Sequence, residues 1–564
     1  MVPAQISRRR LSAPAALAAA AALFAAAADG WFYRAHEISP TFDDAWYLEV
    51  SARLYHALIN DGLWAFYTLY ADAFKFKAPL ISVLPLPLYA AFGISLDTAL
   101  CVNIFALAVL SAYVYLIARR LFNDRAAAVA VVISLTLPML FGLSRRFFVE
   151  YPLTALVTAS VYHLLLSENF KNARENRKLG ALLGAGLLLK VLYPFYLAGP
   201  AADALWQRYR AAGKSFKFFL REMTAPARTI LYIAAPIALT WYAHNLIYVT
   251  GYIFRASVGD IASHYGDSDV FSPAVIGRYL NVLIGDGPSY YYVLLAAAVA
   301  AALTARIGSL KKTLARFFND QNRRALFFWI AVPLLFTTFG VNKDIRFLTP
   351  SLPAFAVLLA GGLERCAARF SMPSLFLAAA LLFPLNQYAF QTWGESLLPE
   401  MRLGPVHILK AVTNYSGHPG SSSVTDDEKL QRLVDLIHAR IGHPSVVVIG
   451  TETGAINANN LSFFSARKNY DMRFISYGYA YRRVENTIAR LREKDASHIL
   501  FVDGLPARTI SESVKTIDDE LRRLVKDGKL PFREAAILPI GPGITAALFE
   551  RTADIPLIGA SARP

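Results

Sequence analysis

Residues 97–118 read DTALCVNIFALAVLSAYVYLIA and run directly into Arg119 and Arg120. A single carboxylate stands at the start of the stretch, and no other charge occurs within it. Wound as an α-helix it would rise ~33 Å, enough to cross a hydrocarbon core of ~30 Å. Working outward, comparable apolar segments lie at 11–32, 126–143, 149–166, 228–248, 289–306, 325–341, 348–364 and 374–392. Residues 179–203 are apolar too, but Lys190, Pro194 and Pro200 interrupt them. They are read as a short helical hairpin that dips in and back. The sum is a membrane all-α chain with about 11 transmembrane segments.

Composition supports this reading. Of 564 residues only 17% are charged, 55% are hydrophobic, and the mean hydropathy is +0.38. That is too little charge for a water-facing surface of this size, unless much of it faces lipid. Aromatics reach 13%, as the interfacial belts of membrane proteins favour. The formal net charge is +16. The bases are scattered between apolar spans, which excludes nucleic acid and leaves positive-inside loops or contact with anionic lipid phosphate. Cys101 and Cys366 both fall in apolar segments and are read as small buried hydrophobes, neither a disulfide nor a zinc site. Arg8, Arg9 and Arg10 precede an Ala/Leu run ending near Ala28, too long for a cleaved signal and better read as an uncleaved anchor.

Charge sets the expected orientation. Basic clusters at Arg8–Arg10, Arg119/Arg120/Arg125, Lys171 to Lys178, Arg208 to Arg228, Lys311 to Arg324 and Arg365/Arg369 alternate with loops poorer in bases. The positive-inside rule puts the rich set in the cytoplasm. The loops at 33–96, 144–148, 249–288 and 342–347, and everything after about 393, then face away from it. Residues 78–92 are read as an apolar helix lying at the interface. The expected organisation is a transmembrane domain over 1–392, a linker over 393–424 and an extracytoplasmic α/β domain over 425–564, in a multi-pass protein of the inner membrane. Within that last domain helical patterns near 425–441, 456–467, 483–494 and 512–527 alternate with strands at 445–449, 472–476, 498–503, 534–539 and 544–549. Gly450-Thr451-Glu452-Thr453-Gly454 follows a strand but lacks the lysine of a phosphate-binding loop, so it is read as a turn.

The residues that could carry chemistry gather in the outward loops. The first opens with Thr41-Phe42-Asp43-Asp44-Ala45-Trp46-Tyr47. Adjacent carboxylates at a membrane boundary are costly unless solvated, paired or used. Asp43 and Tyr47 share a helix face. Two readings stand side by side: the pair caps a helix and favours its dipole, or it carries a reaction. The loop closes with Lys77. The second loop, Ser144-Arg145-Arg146-Phe147-Phe148-Val149-Glu150, and the outer turn Asn342-Lys343-Asp344-Ile345-Arg346 carry bases on the charge-poor side. Snorkelling explains each singly; together they suit an anionic ligand, with Arg fitted to bidentate phosphate contact and Lys to a point contact. Lys190 either snorkels or reaches an outer cavity. His244 and His264 are read as satisfied interface residues, while Arg255 and Arg278 are candidates for head-group contact.

In these motifs the chain resembles the GT-C superfamily, in the branch of the protein O-mannosyltransferases and the lipid A aminoarabinose transferase. That branch carries Asp-Glu then Tyr in the first outer loop, matched by Asp43-Asp44 and Tyr47. A Lys-Pro-Pro-Leu-like motif is matched by Lys77-Ala78-Pro79-Leu80, and an acid ahead of Pro-Leu by Glu150 before Pro152-Leu153. A Gly-rich helix ending in Lys is matched by Gly184 to Lys190, and an Arg-Tyr-Leu-x-Pro-like motif by Arg346-Phe347-Leu348-Thr349-Pro350. The departures are Asp44 for Glu, Ala78 for the first Pro, Glu150 for the commoner Asp, and Phe347 for Tyr. The resemblance spans about residues 11–365.

It implies a GT-C fold and an inverting glycosyltransferase that moves a sugar from a polyprenyl-phosphate donor to a lipid, glycan or protein acceptor. Asp43 would be the general base. Lys77, Arg145 and Arg346 would stabilise the phosphate, Asp44 and Glu150 would orient the sugar or the bases, and Tyr47, Arg146 and Lys190 would complete the donor-binding set. No cofactor or metal is required by that scheme, though a divalent ion on Asp43 and Asp44 is compatible with it. Two rivals are a membrane transporter or flippase of lipid-linked sugars, against which the chain has no second broken helix or repeat, and an oligosaccharyltransferase, whose Trp-Trp-Asp-Tyr-Gly signature the C-terminal domain lacks.

Overall fold

The computed structural model describes residues 12–36, 39–258, 269–394, 402–404, 406–408, 427–442, 444–451, 453–477, 483–505 and 512–555. Most of the expected linker, the Arg8–Arg10 cluster, His264 and Glu452 lie outside the described residues. Backbone contacts divide the chain into two units. One comprises 1–32, 74–80 and 100–419, the other 33–73, 81–99 and 420–564.

Among the described residues six helical stretches are long and apolar enough to cross a membrane: Ala13–Ala35, Leu96–Leu121, Phe216–Ser257, Tyr290–Ile307, Ile345–Ala367 and Pro373–Trp393. A seventh span is broken. Asp124–Thr136 and Pro138–Ser144 meet at an angle of 65°. The cause is local: a residue ahead of proline is driven from the helical region, and Leu137 sits at φ −67°, ψ 122° before Pro138. The chain is therefore a multi-pass membrane protein; among the described residues six or seven spans qualify by length and composition, and the sequence suggested about 11. The other expected segments form Glu150–Leu166, Ala173–Leu189, Tyr193–Ala211 and Gln321–Phe339, helices of 17, 17, 19 and 19 residues.

The stretch read as a short hairpin is longer than expected. Its first arm starts at Ala173, capped by Asn172, whose side chain accepts from the Arg174 and Glu175 N–H groups. This winds the basic cluster into the helix. The arm packs against Phe216–Val258 through two glycines. A Cβ added at Gly180 would stand 2.8 Å from the Ile230 carbonyl oxygen, and one at Gly184 2.8 Å from Ile237 Cβ. Small residues four apart allow this close approach of backbones, the main route to helix association where lipid removes the hydrophobic drive.

In the second unit the five-stranded sheet runs β1 Ser445–Ile449, β2 Met472–Ser476, β3 His498–Asp503, β4 Phe532–Gly541 and β5 Ile544–Arg551, in the order β2-β1-β3-β5-β4. β1 pairs parallel with β2 and β3, while β5 pairs antiparallel with β3 and β4. The β-branched run Val446-Val447-Val448-Ile449 suits a central strand covered on both faces. Helices Ala458–Arg467, Val484–Glu493 and Glu512–Lys526 lie between successive strands, and Asp427–Ile441 precedes the sheet. Ile488, Leu491, Ile499, Phe501, Ile517 and Leu521 form part of one buried core. The same unit takes in the helices Phe42–His56, Leu63–Asp72 and Leu86–Phe92 from the first loop.

Candidate active site

The candidate residues divide between the two units. In the first, Glu150 opens the helix Glu150–Leu166, where a carboxylate gains from the positive end of the helix. Lys190 follows the helix Ala173–Leu189 and gives its N–H to the Gly186 carbonyl at 2.9 Å. The turn after it is pinned by Tyr193. Its ring fills the space over Gly186, where a Cβ would stand 2.3 Å from it, and its hydroxyl meets Ser160 Oγ at 2.5 Å and the Leu156 carbonyl at 3.2 Å. So held, Lys190 places Nζ 2.7 Å from Glu150 Oε1 and 4.4 Å from the centre of the Phe347 ring.

Phe347 belongs to the turn Ile345–Ser351, capped by Asp344, whose Oδ1 accepts from the Arg346 N–H at 3.0 Å. Arg346 donates Nε and Nη2 to Asp344 Oδ2 at 2.8 and 2.5 Å, and lies 4.6 Å over the Phe148 ring. Burial raises the Asp344 carboxyl, but the Arg346 guanidinium and, further off, Lys190 outweigh it and hold the group below the usual carboxylate range. The motifs around 150, 190 and 346, far apart in sequence, thus meet in one charged cluster. Tyr196 lies near both Glu150 and Asp344. Its hydroxyl and Glu150 Oε2 are buried without a hydrogen-bond partner among the described residues. Buried polar atoms are ordinarily paired, so both suit a hydroxyl-bearing ligand or water.

Arg145 lies elsewhere. Its side chain is 0% exposed and Nε stands 3.0 Å from Asp29 Oδ1. Its other nitrogens donate to the Gln391 carbonyl at 3.0 Å and Thr392 Oγ1 at 2.5 Å, and its face lies 4.3 Å from the Phe32 ring. Each of the three guanidinium nitrogens has a partner in the protein, so the side chain joins the first and last apolar helices to Pro138–Ser144. Arg146 is half-buried. Its turn is held by Asn103 Nδ2, which donates to the Ser144 and Arg146 carbonyls at 3.0 and 2.7 Å. Lys77 is half-buried too, in a stretch anchored by Phe76 stacked 4.3 Å from Tyr252. His244, Arg255 and Arg278 are exposed.

In the second unit the two adjacent acids part company. Asp44 is buried and its Oδ1 accepts from the Thr41 and Ala45 N–H groups at 2.8 and 3.0 Å, as the third residue of a capped helix does. Asp43, one position earlier, is partly exposed. Tyr47 is buried, and its carbonyl accepts from Ser82 Oγ at 2.8 Å. Among the described residues no group of three or more His, Cys, Asp or Glu side chains is arranged to hold a metal ion.

Sequence reasoning passed over Asp29 and Tyr196. An ionisable residue at the end of an apolar run was a signal for the first; nothing distinguished the second from the other tyrosines.

A family profile described as dolichyl-phosphate-mannose-protein mannosyltransferase matches residues 76–242, the stretch that holds Lys77, Arg145, Arg146, Glu150 and Lys190. No curated protein matches the chain in sequence. The fold is similar to that of ArnT from Cupriavidus metallidurans bound to undecaprenyl phosphate, with TM-score 0.58 and 12% identity over 96% of this chain and 98% of that one. The apo state of the same protein gives 0.56 and 14%, over 94% and 97%. The oligosaccharyltransferase of Archaeoglobus fulgidus gives 0.49 and 12%, over 86% and 69%. The resemblance to the GT-C superfamily read in the sequence is borne out, and the chain shares the fold of the Cupriavidus protein.

Proposed function

We propose that the protein is an inverting glycosyltransferase that takes its sugar from a polyprenyl-phosphate donor on the extracytoplasmic side of the inner membrane. The observation that carries this is the cluster of buried Glu150 with half-buried Lys190, Asp344 and Arg346, beside which Tyr196 OH and Glu150 Oε2 are buried without a hydrogen-bond partner among the described residues. Paired charges with spare polar atoms suit a sugar phosphate: cations for the phosphate, acceptors and a hydroxyl for the sugar. The undecaprenyl phosphate bound by the Cupriavidus protein of similar fold supports the same donor class.

In this reading Asp43 takes the proton of an acceptor hydroxyl or amine as that atom attacks the anomeric carbon. The carbon–oxygen bond to phosphate breaks on the opposite face, and the polyprenyl phosphate departs as an anion. Lys77 and Arg346 stabilise its charge, and Lys190 adds a point charge beside Glu150. Arg145 supports the fold of this region. Asp44 fixes the helix that carries Asp43. The sugar and the acceptor are set by contacts that the sequence does not name.

The test supplies the purified full-length protein in vesicles with labelled polyprenyl-phosphate sugars or labelled nucleotide sugars, and follows transfer to a membrane extract. Transfer from the lipid donor, with release of polyprenyl phosphate, is expected. Transfer from a nucleotide sugar without any lipid intermediate would overturn the donor class. Movement of the intact lipid-linked sugar across the bilayer without bond cleavage would favour the transporter.

A further inference from the structure

The second unit contains a connection that links its sheet to the helix bearing Asp43. Helix Ala458–Arg467, which follows β1, lies along Phe42–His56. Its N-cap, Asn457, is fully buried. Asn457 Oδ1 accepts from the Asn460 N–H at 3.0 Å, and Asn460 Oδ1 accepts in return from the Asn457 N–H at 3.0 Å. This reciprocal cap leaves the Asn457 amide free to donate outward. Nδ2 does so to the Thr453 carbonyl at 2.9 Å and to Thr41 Oγ1 at 2.8 Å. Two residues on, Asn459 Nδ2 donates to the Phe42 carbonyl at 3.0 Å. Ser39 Oγ donates to Asp427 Oδ1 at 2.7 Å. Three groups of the C-terminal domain therefore hold residues 39, 41 and 42, immediately ahead of Asp43.

Phe42 itself sits at φ +46°, a left-handed conformation that a bulky side chain rarely adopts. Such strain persists only where the surroundings over-determine it, and the Asn459 contact falls on that residue.

From this we infer that Asn457 and Asn459 are positioning residues for Asp43, and that the C-terminal α/β domain is part of the catalytic apparatus. The inference rests on Asp43 as the general base. Neither amide touches a reacting atom in this scheme. They set the path of the chain through Thr41 and Phe42, and so the direction in which the Asp43 carboxylate leaves its helix. Misplacement of a catalytic group by ~1 Å can cost about 10²-fold in rate.

The experiment uses the full-length protein in vesicles with a polyprenyl-phosphate sugar, reading kcat, donor KM and thermal unfolding. Asn459→Ala removes one partly exposed donor. Asn457→Ser keeps an N-cap oxygen but removes the amide. The expected result is a fall in kcat of about 10- to 100-fold in both, with donor KM within about twofold and Asn459→Ala melting as the parent does. Thr41→Ser should keep turnover. Thr41→Val combined with Asn457→Ser should fall no further than the worse single change, because both remove one contact. Parental kcat in Asn459→Ala and Asn457→Ser, with Asp43→Asn inactive, overturns the positioning role and leaves the base intact. Parental kcat in Asp43→Asn overturns the base instead.

Discussion

Replacing Arg145 with Met should destabilise the membrane unit without touching donor affinity. Arg145 and Asp29 are 0% and 3% exposed in their side chains and 3.0 Å apart. Removing the cation leaves a buried carboxylate with only Ser144 Oγ, at 2.7 Å, to satisfy it, and it frees the Gln391 carbonyl and Thr392 Oγ1. Breaking a buried pair from one side costs about 3–5 kcal/mol, whereas exchanging both partners for apolar residues of like volume is often neutral. The stacking of the guanidinium on Phe32 is largely replaced in the variant by the methionine thioether. Arg145→Met alone should therefore unfold about 3 kcal/mol or more sooner, and Asp29→Leu with Arg145→Met should recover most of that. The assay is reversible denaturant unfolding of the full chain in detergent, with binding of labelled undecaprenyl phosphate measured in parallel. An Arg145→Met protein of parental stability but weakened lipid-phosphate binding would refute this reasoning. It would return the guanidinium to the donor site, where the resemblance to the GT-C superfamily had suggested it.

Asp43→Asn should keep donor binding and lose turnover by about 10²-fold or more, whereas Asp44→Asn, which retains the capping oxygen, should lose less than about tenfold, both read in a single-turnover assay. Lys190→Met should leave Glu150 buried without its partner, so it should lower folded yield and donor binding together, and Glu150→Gln added to it should restore the yield but not the binding. Lys77→Ala and Arg346→Ala should each weaken undecaprenyl-phosphate binding by about 1.5–3 kcal/mol if they clamp the phosphate, measured by equilibrium binding. Burial pushes the Asp518 carboxyl up to about 6, against the pull of Arg522 and the Tyr477 hydroxyl. A raised acid binds its proton more tightly when folded, so its contribution to stability is complete below the ordinary carboxylate range and is lost as pH rises through about 6. Asp518→Asn should remove that loss and stabilise the domain at pH 8 by up to about 3 kcal/mol, seen by amide exchange across β3 and β5.

Strands 445–449, 472–476 and 498–503 were legible to the residue because each is a short β-branched or apolar run between polar helices. The long apolar helices were legible for the same reason. The span count was not. Pro138 breaks one segment, and Glu150–Leu166, at 17 residues, stands at the lower edge of what can span a bilayer. The chemistry was legible as residue types and not as partners. Spacing cannot tell that the Arg145 guanidinium meets Asp29, 116 positions away, or that Glu150 meets Lys190 at a distance of 40. Gly180 and Gly184 let Ala173–Leu189 pack closely on Phe216–Val258, and of the two only Gly184 stood in the sequence motif.

The two carboxylates of the first loop show how one position decides between structure and chemistry. A helix advances about 100° per residue, so Asp43 and Asp44 cannot face the same way. Once Thr41 caps the helix, the third residue is the one whose side chain folds back onto the free N–H groups, and that residue is Asp44. Its Oδ1 accepts from the backbone and its side chain is buried, as a capping role requires. The second residue, Asp43, is left partly exposed at the positive end of the same helix. That end favours the ionised form a general base requires before reaction. Phe42, at the head of that helix, sits at φ +46° and its carbonyl accepts from the Asn459 amide. On the proposal that Asp43 is the base, its setting depends on Asn457, 416 positions downstream of Thr41, as much as on the motif itself.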